Sequence, residues 1–478
     1  HKEYRRQRQM CIRDRAIVIG GFTHAVVYSV TDTAAGVASA AGAGLNEAVN
    51  ITATGIATVA NATTIFNATN SGTKTIAALT DSAANIAGSS NPVLNLVTGT
   101  IIANSNATGA QSNTLSAFTH AIVYSVSDTA ANLVAAYGSG NGLNDAVDVT
   151  STGVATAAQA NTIMTATNSG QTTITNVTDT AGNAATLAPG SNDVILALVV
   201  TNTANIAQAT SWVNNAQITS TTINSIADTA GAIAGTTNTV LNHVTGSVTA
   251  TDAATGAQAI VIAGFTKAVI YSVNDSVAGV LSAVGAGLNH AVNVTANGNT
   301  DIAGATAIEA ATNSGVTSIN GNVNDTAAHI AASSDPVLNI VTGLVTATNA
   351  ATVAQANAMA AFDKPVVYNV SDIGANIVAG AGLDDAVNIL VTGTATTVAE
   401  ANIVFSATNS GSKSIQNITD SAANIAGTSD VILFLVTGTV TANTNATAAQ
   451  AVTIAAFVTP VVYSVEDLTS VLAVTTGG

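Results

Sequence analysis

Hydrophobic and polar positions alternate strictly in Ala48–Thr54. Val49, Ile51 and Ala53 fall on one face and Asn50, Thr52 and Thr54 on the other, which predicts a half-buried strand. Upstream, Ala25–Val30 (AVVYSV) is β-branched and aromatic and predicts another strand. Between them an alanine-rich stretch opening at Thr33-Ala34-Ala35 predicts a helix, with Asp32 as its N-cap, ending near Gly42 and Gly44. Gly55 marks a bend before the next helix.

This strand–helix phrase returns along the whole chain. Its aspartate recurs as Asp32, Asp81, Asp128, Asp179, Asp228, Asp275, Asp325, Asp372, Asp420 and Asp467, at spacings of 47 to 51 residues. Such self-similarity is the signature of a repeat architecture. Units alternate in type. In one type a tyrosine stands four residues before the aspartate (Tyr28, Tyr124, Tyr271, Tyr368, Tyr463); in the other isoleucine and a branched residue precede it, as in Ile415–Asp420. The alternation breaks between Asp179 and Asp228, in an irregular stretch of about 188–224 that holds the single tryptophan, Trp212. A duplication or deletion out of phase accounts for it.

The second helix of each unit is announced by a capping box, a hydroxyl followed three residues later by Gln or Glu. The pairs are Thr108/Gln111, Thr156/Gln159, Thr255/Gln258, Thr352/Gln355, Thr397/Glu400 and Thr447/Gln450, with Asn205/Gln208 as a near variant. Asn-Ser-Gly at Gly72, Gly170, Gly315 and Gly411 predicts helix ends with glycine in the left-handed C′ position. Pro92 and Pro336 occupy matched positions and predict a turn fixed in phase.

Strand and helix alternating every ~24 residues imply parallel strands joined by right-handed crossovers. The expected fold is an α/β repeat solenoid with ~48 residues per unit, one parallel sheet along one side and short helices behind it. Residues 16–478 are expected to form a single elongated body. Both ends fall mid-unit, so the chain reads as part of a longer protein.

Composition sharpens this picture. The chain of 478 residues is 47% hydrophobic but only 8% charged, against about 25% in ordinary globular domains. All five arginines, Arg5, Arg6, Arg8, Arg13 and Arg15, lie in residues 1–15 with Lys2, Met10 and the single cysteine, Cys11. A basic tail for nucleic acid or membrane is one reading of this leader. The preferred one is a non-native segment resembling adaptor-derived read-through, excluded from fold reasoning. The rest holds four lysines, Lys74, Lys267, Lys364 and Lys413, against 24 acidic residues. That balance disfavours nucleic acid, which requires clustered cations. No apolar run approaches membrane-spanning length, so no membrane insertion is expected. A cysteine-free body offers no disulfide or thiolate metal site and suits an extracellular protein.

Candidate chemistry is sparse. The periodic aspartates could be calcium ligands, but their phase and the following Thr/Ser-Ala favour structural N-caps. Neither the calcium nonapeptide nor an EF-hand spacing is present, so no cofactor is expected, with calcium as the open possibility. His24 and His120 share a turn position with Lys267, Lys364 and Thr459, which suits a solvated loop; His243, His290 and His329 share no phase. Asp145, Asp148, Asp384 and Asp385 form acidic clusters where glycosidase carboxylates could sit, but matched units lack them, so surface solubility is the preferred reading. No GxSxG elbow is present and the GxG pairs read as helix stops. The remaining candidate is a polar ladder on the outward sheet face: Asn50, Thr52 and Thr54, then Thr150 and Thr152, then Asn293 and Thr295. Such a ladder could bind glycans or order water as ice-binding proteins do, or simply be a solvated face.

Ser127-Asp128-Thr129-Ala130-Ala131-Asn132-Leu133 and Asp420–Ala426 resemble the SDTAANIA-type repeats of very large bacterial secreted proteins, similar to RTX adhesins and haemolysin-like proteins exported by type I systems. The resemblance covers nearly all of residues 16–478. It implies a non-enzymatic stalk or spacer of an extracellular or cell-surface protein, in adhesion, biofilm matrix or surface coating, with surface glycans as possible partners. The family's nonapeptides and C-terminal secretion signal have no counterpart in this sequence.

Overall fold

The computed structural model describes residues 14–466; Asp467 lies outside them. The chain divides into two compact units, one formed by the chain up to Ala227 together with Thr236–Val248, the other by Asp228–Gly235 and the chain from Thr249. Both are α/β, with parallel strands alternating with short helices. One strand and its crossover are called a coil below.

In the first unit, Val30–Thr33, Ile51–Ala57, Lys74–Asp81, Ile101–Ala103 and Ile122–Val123 form a five-stranded parallel sheet in chain order. A second parallel sheet starts at Val126–Thr129 and runs through Val149–Ala155, Thr172–Asp179, Leu198–Ala204 and Thr221–Asp228. In the second unit, Val273–Ser276 leads a three-stranded parallel sheet, and others begin at Val323–Asp325, Val370–Ile373 and Ile418–Asp420.

The expected single sheet is therefore replaced by several, and two local features shape them. Gly55 takes φ +75° inside its strand, and the pairing slips there, from Ala53 opposite Ile76 to Ile56 opposite Ala78. Such a bulge bends and twists the strand. At each buried tyrosine the pairing stops and restarts: Ile122–Val123 closes one sheet and Val126–Thr129 opens the next, flanking Tyr124.

Strands also begin later than the alternation suggests. The expected Ala25–Val30 is observed as Val30–Thr33, and Ala48–Thr54 as Ile51–Ala57. Val49 is bonded in the turn that precedes its strand, its amide donating to the Tyr28 carbonyl at 2.7 Å.

The core lies between strands and crossovers. Ile51, Ala53, Ile76 and Leu79 from strands meet Val37, Ile65 and Ile86 from helices, all fully buried. Alanines such as Ala34, Ala62 and Ala83 let helix and sheet approach closely. The irregular stretch follows the same plan, with helix Ile206–Val213 burying Trp212.

The Asn-Ser-Gly glycines are not left-handed; positive φ occurs at Gly42, Gly55, Gly153, Gly285, Gly298, Gly380 and Gly393 among the described residues. Glycine is needed at Gly72 for a different reason. A Cβ there would lie 2.5 Å from both the Val49 carbonyl and Asn50 Oδ1 of the preceding coil. Pro92 and Pro336 each stand in the first turn of a short helix, where a missing N–H costs nothing.

Candidate functional site

The recurring aspartate is the last or next-to-last residue of its strand, and the helix N-cap is the residue after it. Thr33, Ser82, Thr129, Thr180, Thr229, Ser276, Thr326 and Ser421 each accept a helix amide on their hydroxyl. The expectation that Asp32, Asp81, Asp128, Asp179, Asp228, Asp275, Asp325, Asp372 and Asp420 are the caps is thus corrected by one position. At Asp372 the next residue is Ile373, which offers no side-chain cap.

The aspartates do something else. Asp179 Oδ1 accepts the Thr180 amide and the Asn183 side chain, both at 2.8 Å. Its Oδ2 accepts the amide of Ala157, the first residue of the helix one coil earlier, at 3.0 Å. The same inter-coil tie joins Asp81 to Val59, Asp128 to Gly109, Asp275 to Gly256, Asp325 to Ile302, Asp372 to Val353 and Asp420 to Val398, at 2.9–3.0 Å. Asp228 Oδ1 accepts the Thr229 amide. Asp32 Oδ1 accepts the Thr33 amide, and its buried Oδ2 accepts no bond among the described residues.

The helices that start at Ala83, Ala181, Ala230, Ala327 and Ala422 are tied in the same way. Ser105 holds the Ala83 amide, Asn202 that of Ala181, Asp252 that of Ala230, Asn349 that of Ala327 and Thr444 that of Ala422. Of the free amides at such a helix N-terminus, the third is met by the helix's own cap and the first by the next coil, as at Gln159 and Ala157.

Electrostatics follow from these bonds. Burial pushes the carboxyls of Asp81, Asp128, Asp179 and Asp372 up. Hydrogen bonds from Asn85, Asn132, Asn183 and Asn376 and from two backbone amides each outweigh it and hold them below the usual carboxylate range. Asp275 is lowered chiefly by the Gly256 and Ser276 amides. Asp325 is lowered in spite of burial by the Thr326 and Ile302 amides and by His329, whose Nδ1 lies 2.8 Å away.

The capping boxes are all formed, from Thr108/Gln111 to Thr447/Gln450, the Asn205/Gln208 variant included. Tyr124, Tyr271 and Tyr368 are buried and donate to the carbonyls of Gly142, Gly287 and Gly382 at 2.7, 2.9 and 3.1 Å. Burial raises all three phenols, to about 12 for Tyr271 and Tyr368.

The polar-ladder residues do not converge on one site. Thr52 and Thr54 belong to the first sheet of the first unit, with Asn50 just before their strand, Thr150 and Thr152 to its second sheet, and Asn293 and Thr295 to the second unit. Within each sheet hydroxyls do stand in register, Thr31–Thr52–Thr75 and Ser127–Thr150–Thr173, while Thr295 lies between Asn274 and Ser318. Asn50 and Asn293 are engaged elsewhere, each Oδ1 accepting the amide of the next coil's turn, Thr73 or Val316, at 2.9 Å. Thr54 donates to the Asp32 carbonyl.

The acidic clusters serve the same turns. Asp148 accepts the Gln171 amide and Asp384 the Thr408 amide. His120 and Lys364, at their shared turn, bond the carbonyls of Gly99 and Val341. Among the described residues no group of three or more His, Cys, Asp or Glu is placed to hold a metal ion, and no helix is long and apolar enough to cross a membrane.

No family model and no curated protein matches this chain. Among solved structures it is similar to the crystal structure of the Arabidopsis receptor kinase HAESA in complex with the peptide hormone IDA and the co-receptor SERK1, at 8% identity over 88% of this chain and 87% of that one. The TM-score is 0.18, too low to carry an argument about fold or function.

Proposed function

We propose that this chain is a structural repeat segment, a stalk or spacer, of a bacterial extracellular or cell-surface adhesin-like protein, folded as an α/β solenoid and without catalytic activity of its own. One observation carries this reading. In seven units the recurring aspartate is spent on the main chain of the adjacent coil, as in the tie from Asp179 to Ala157. Repetition of that kind specifies stacking, and a stacked array has few other demands on its residues. The resemblance to SDTAANIA-type repeats supports the adhesin-like setting and export by a type I system.

Small-angle X-ray scattering tests the architecture: a rod-like cross-section regime is expected, and a compact globular profile would overturn it. Replacing the segment, within its parent protein on the cell surface, by an unrelated repeat of equal length tests the role. Adhesion that survives the exchange supports a spacer; adhesion that is lost points to binding by the segment itself. That second reading is favoured by the in-register hydroxyls Thr31–Thr52–Thr75, a surface suited to glycans or ordered water. A glycan array and a thermal-hysteresis measurement test it, and flat results in both remove it.

A further inference from the structure

One crossover is shorter than its counterparts, and a cleft opens beside it. In tyrosine-type units Leu45 follows Asp32 by 13 positions and Leu288 follows Asp275 by 13, but Leu383 follows Asp372 by only 11. Where the other units place helices Ala34–Ser39, Ala130–Ser139 and Val277–Ser282, this one has a single 3₁₀ turn, Gly374–Asn376. In the first unit the helix Ala34–Ser39 packs against the helix that follows, Val59–Phe66. Here the 3₁₀ turn takes that place beside helix Val398–Ser406. Next to it lies a cleft of about 350 Å³, lined among others by Leu383, Asp384, Asn402, Ile403, Ser406 and Ala407.

We propose that this cleft is a binding site for one neutral hexopyranose residue of a glycan. Its size falls within the ~300–1,000 Å³ of small-molecule sites. The apolar surface open to the cleft comes from Ile403, half-buried, and Ala379, exposed, backed by the buried Leu383 and Ala407, which suits the C–H face of a pyranose ring. Asn402, whose Nδ2 also donates to the Val398 carbonyl at 2.8 Å and whose Oδ1 accepts, a hydroxyl (Ser406) and a carboxylate (Asp384) supply hydrogen-bond partners for ring hydroxyls. Asp384 is fixed by the Thr408 amide on Oδ1 at 2.8 Å and keeps acceptor capacity on its other oxygen. No cation lines the cleft, and the chain carries a formal charge of −16, so anionic ligands are disfavoured. The site is distinct from the hydroxyl rows of the sheet faces and goes beyond the spacer reading.

Saturation-transfer NMR of the full chain with methyl glucoside, galactoside and mannoside tests the proposal. At least one glycoside is expected to bind saturably, with a dissociation constant on the order of 1 mM, its transfer strongest at ring C–H protons. Ser406→Trp, a filling change at an exposed helix position, is expected to abolish the signal. Asn402→Ala is expected to weaken binding roughly tenfold, by loss of a hydrogen bond, and serves if the tryptophan variant does not fold. Absence of saturable binding by all three glycosides overturns the proposal. Binding that persists in both variants also overturns it and places the sugar on a sheet face. Binding of glucosamine alone, with none of the neutral glycosides, would assign the cleft to a cationic amine instead.

Discussion

Replacing Asp179 by alanine removes three hydrogen bonds at once: Oδ1 to the Thr180 amide and the Asn183 side chain, and Oδ2 to the Ala157 amide. An ordinary helix cap is worth about 1 kcal/mol. Each of these bonds contributes about 1 kcal/mol net, more for a charged acceptor, but the carboxylate is only half-buried and water recovers part of the loss. The expected cost is therefore about 2–3 kcal/mol, with a location as well as a size. Loss of the tie unprotects the Ala157 amide, 22 residues upstream in another coil. Native-state hydrogen exchange reads this directly, as a roughly 30- to 150-fold faster exchange at Ala157. Asn183→Ala, which leaves the inter-coil bond in place, serves as the control and is expected to cost about 1 kcal/mol. Unchanged protection at Ala157, with a total loss of about 1 kcal/mol or less, would refute the tie and leave the aspartate a local cap.

Three further outcomes are expected. The carboxyls of Asp81, Asp128, Asp179 and Asp372 are lower in the folded chain than in the unfolded one. Their contribution is thus fully present above about pH 4, the unfolded value, and is lost as pH falls through the lower folded values; circular dichroism should show acid unfolding beginning below that point. Gly72→Ala, which drives a methyl group against the Val49 carbonyl, should cost about 1–3 kcal/mol in urea unfolding even though Gly72 is not left-handed. For Tyr271 and Tyr368, whose phenols are raised to about 12, stabilisation is complete below about pH 10 and disappears as pH rises through 12. Phenolate absorbance should appear only together with loss of structure, and Tyr368→Phe should cost about 1 kcal/mol by leaving the Gly382 carbonyl unpaired.

What could be read from the sequence was whatever is local. Thr156 and Gln159 satisfy each other within one turn, so the capping boxes were legible as pairs three residues apart. Parallel α/β order followed from the repeat length. The ties between coils were not legible in the same way, because the partners stand 19 to 23 residues apart and one of them is a backbone amide. Two signals did exist. Asn85, Asn132, Asn183, Asn376 and Asn424 each stand four residues after an aspartate and donate to it. Ser105, Asp252, Asn349 and Thr444 each follow a helix start by 22 residues, and Asn202 by 21. The strand boundaries were misjudged because alternation continues unbroken through Val49–Thr54 while pairing begins only at Ile51. The Asn-Ser-Gly glycines were misjudged because close approach and left-handed geometry leave the same residue in the sequence.

The ties also have a direction. Ala157 is held by Asp179 and Ala83 by Ser105, so wherever a tie is made the helix start is completed by a residue later in the chain. A coil so tied is therefore unfinished until its successor has packed onto it. An array growing from its first coil carries one open helix end at its advancing edge, and each new coil closes the end left by the one before.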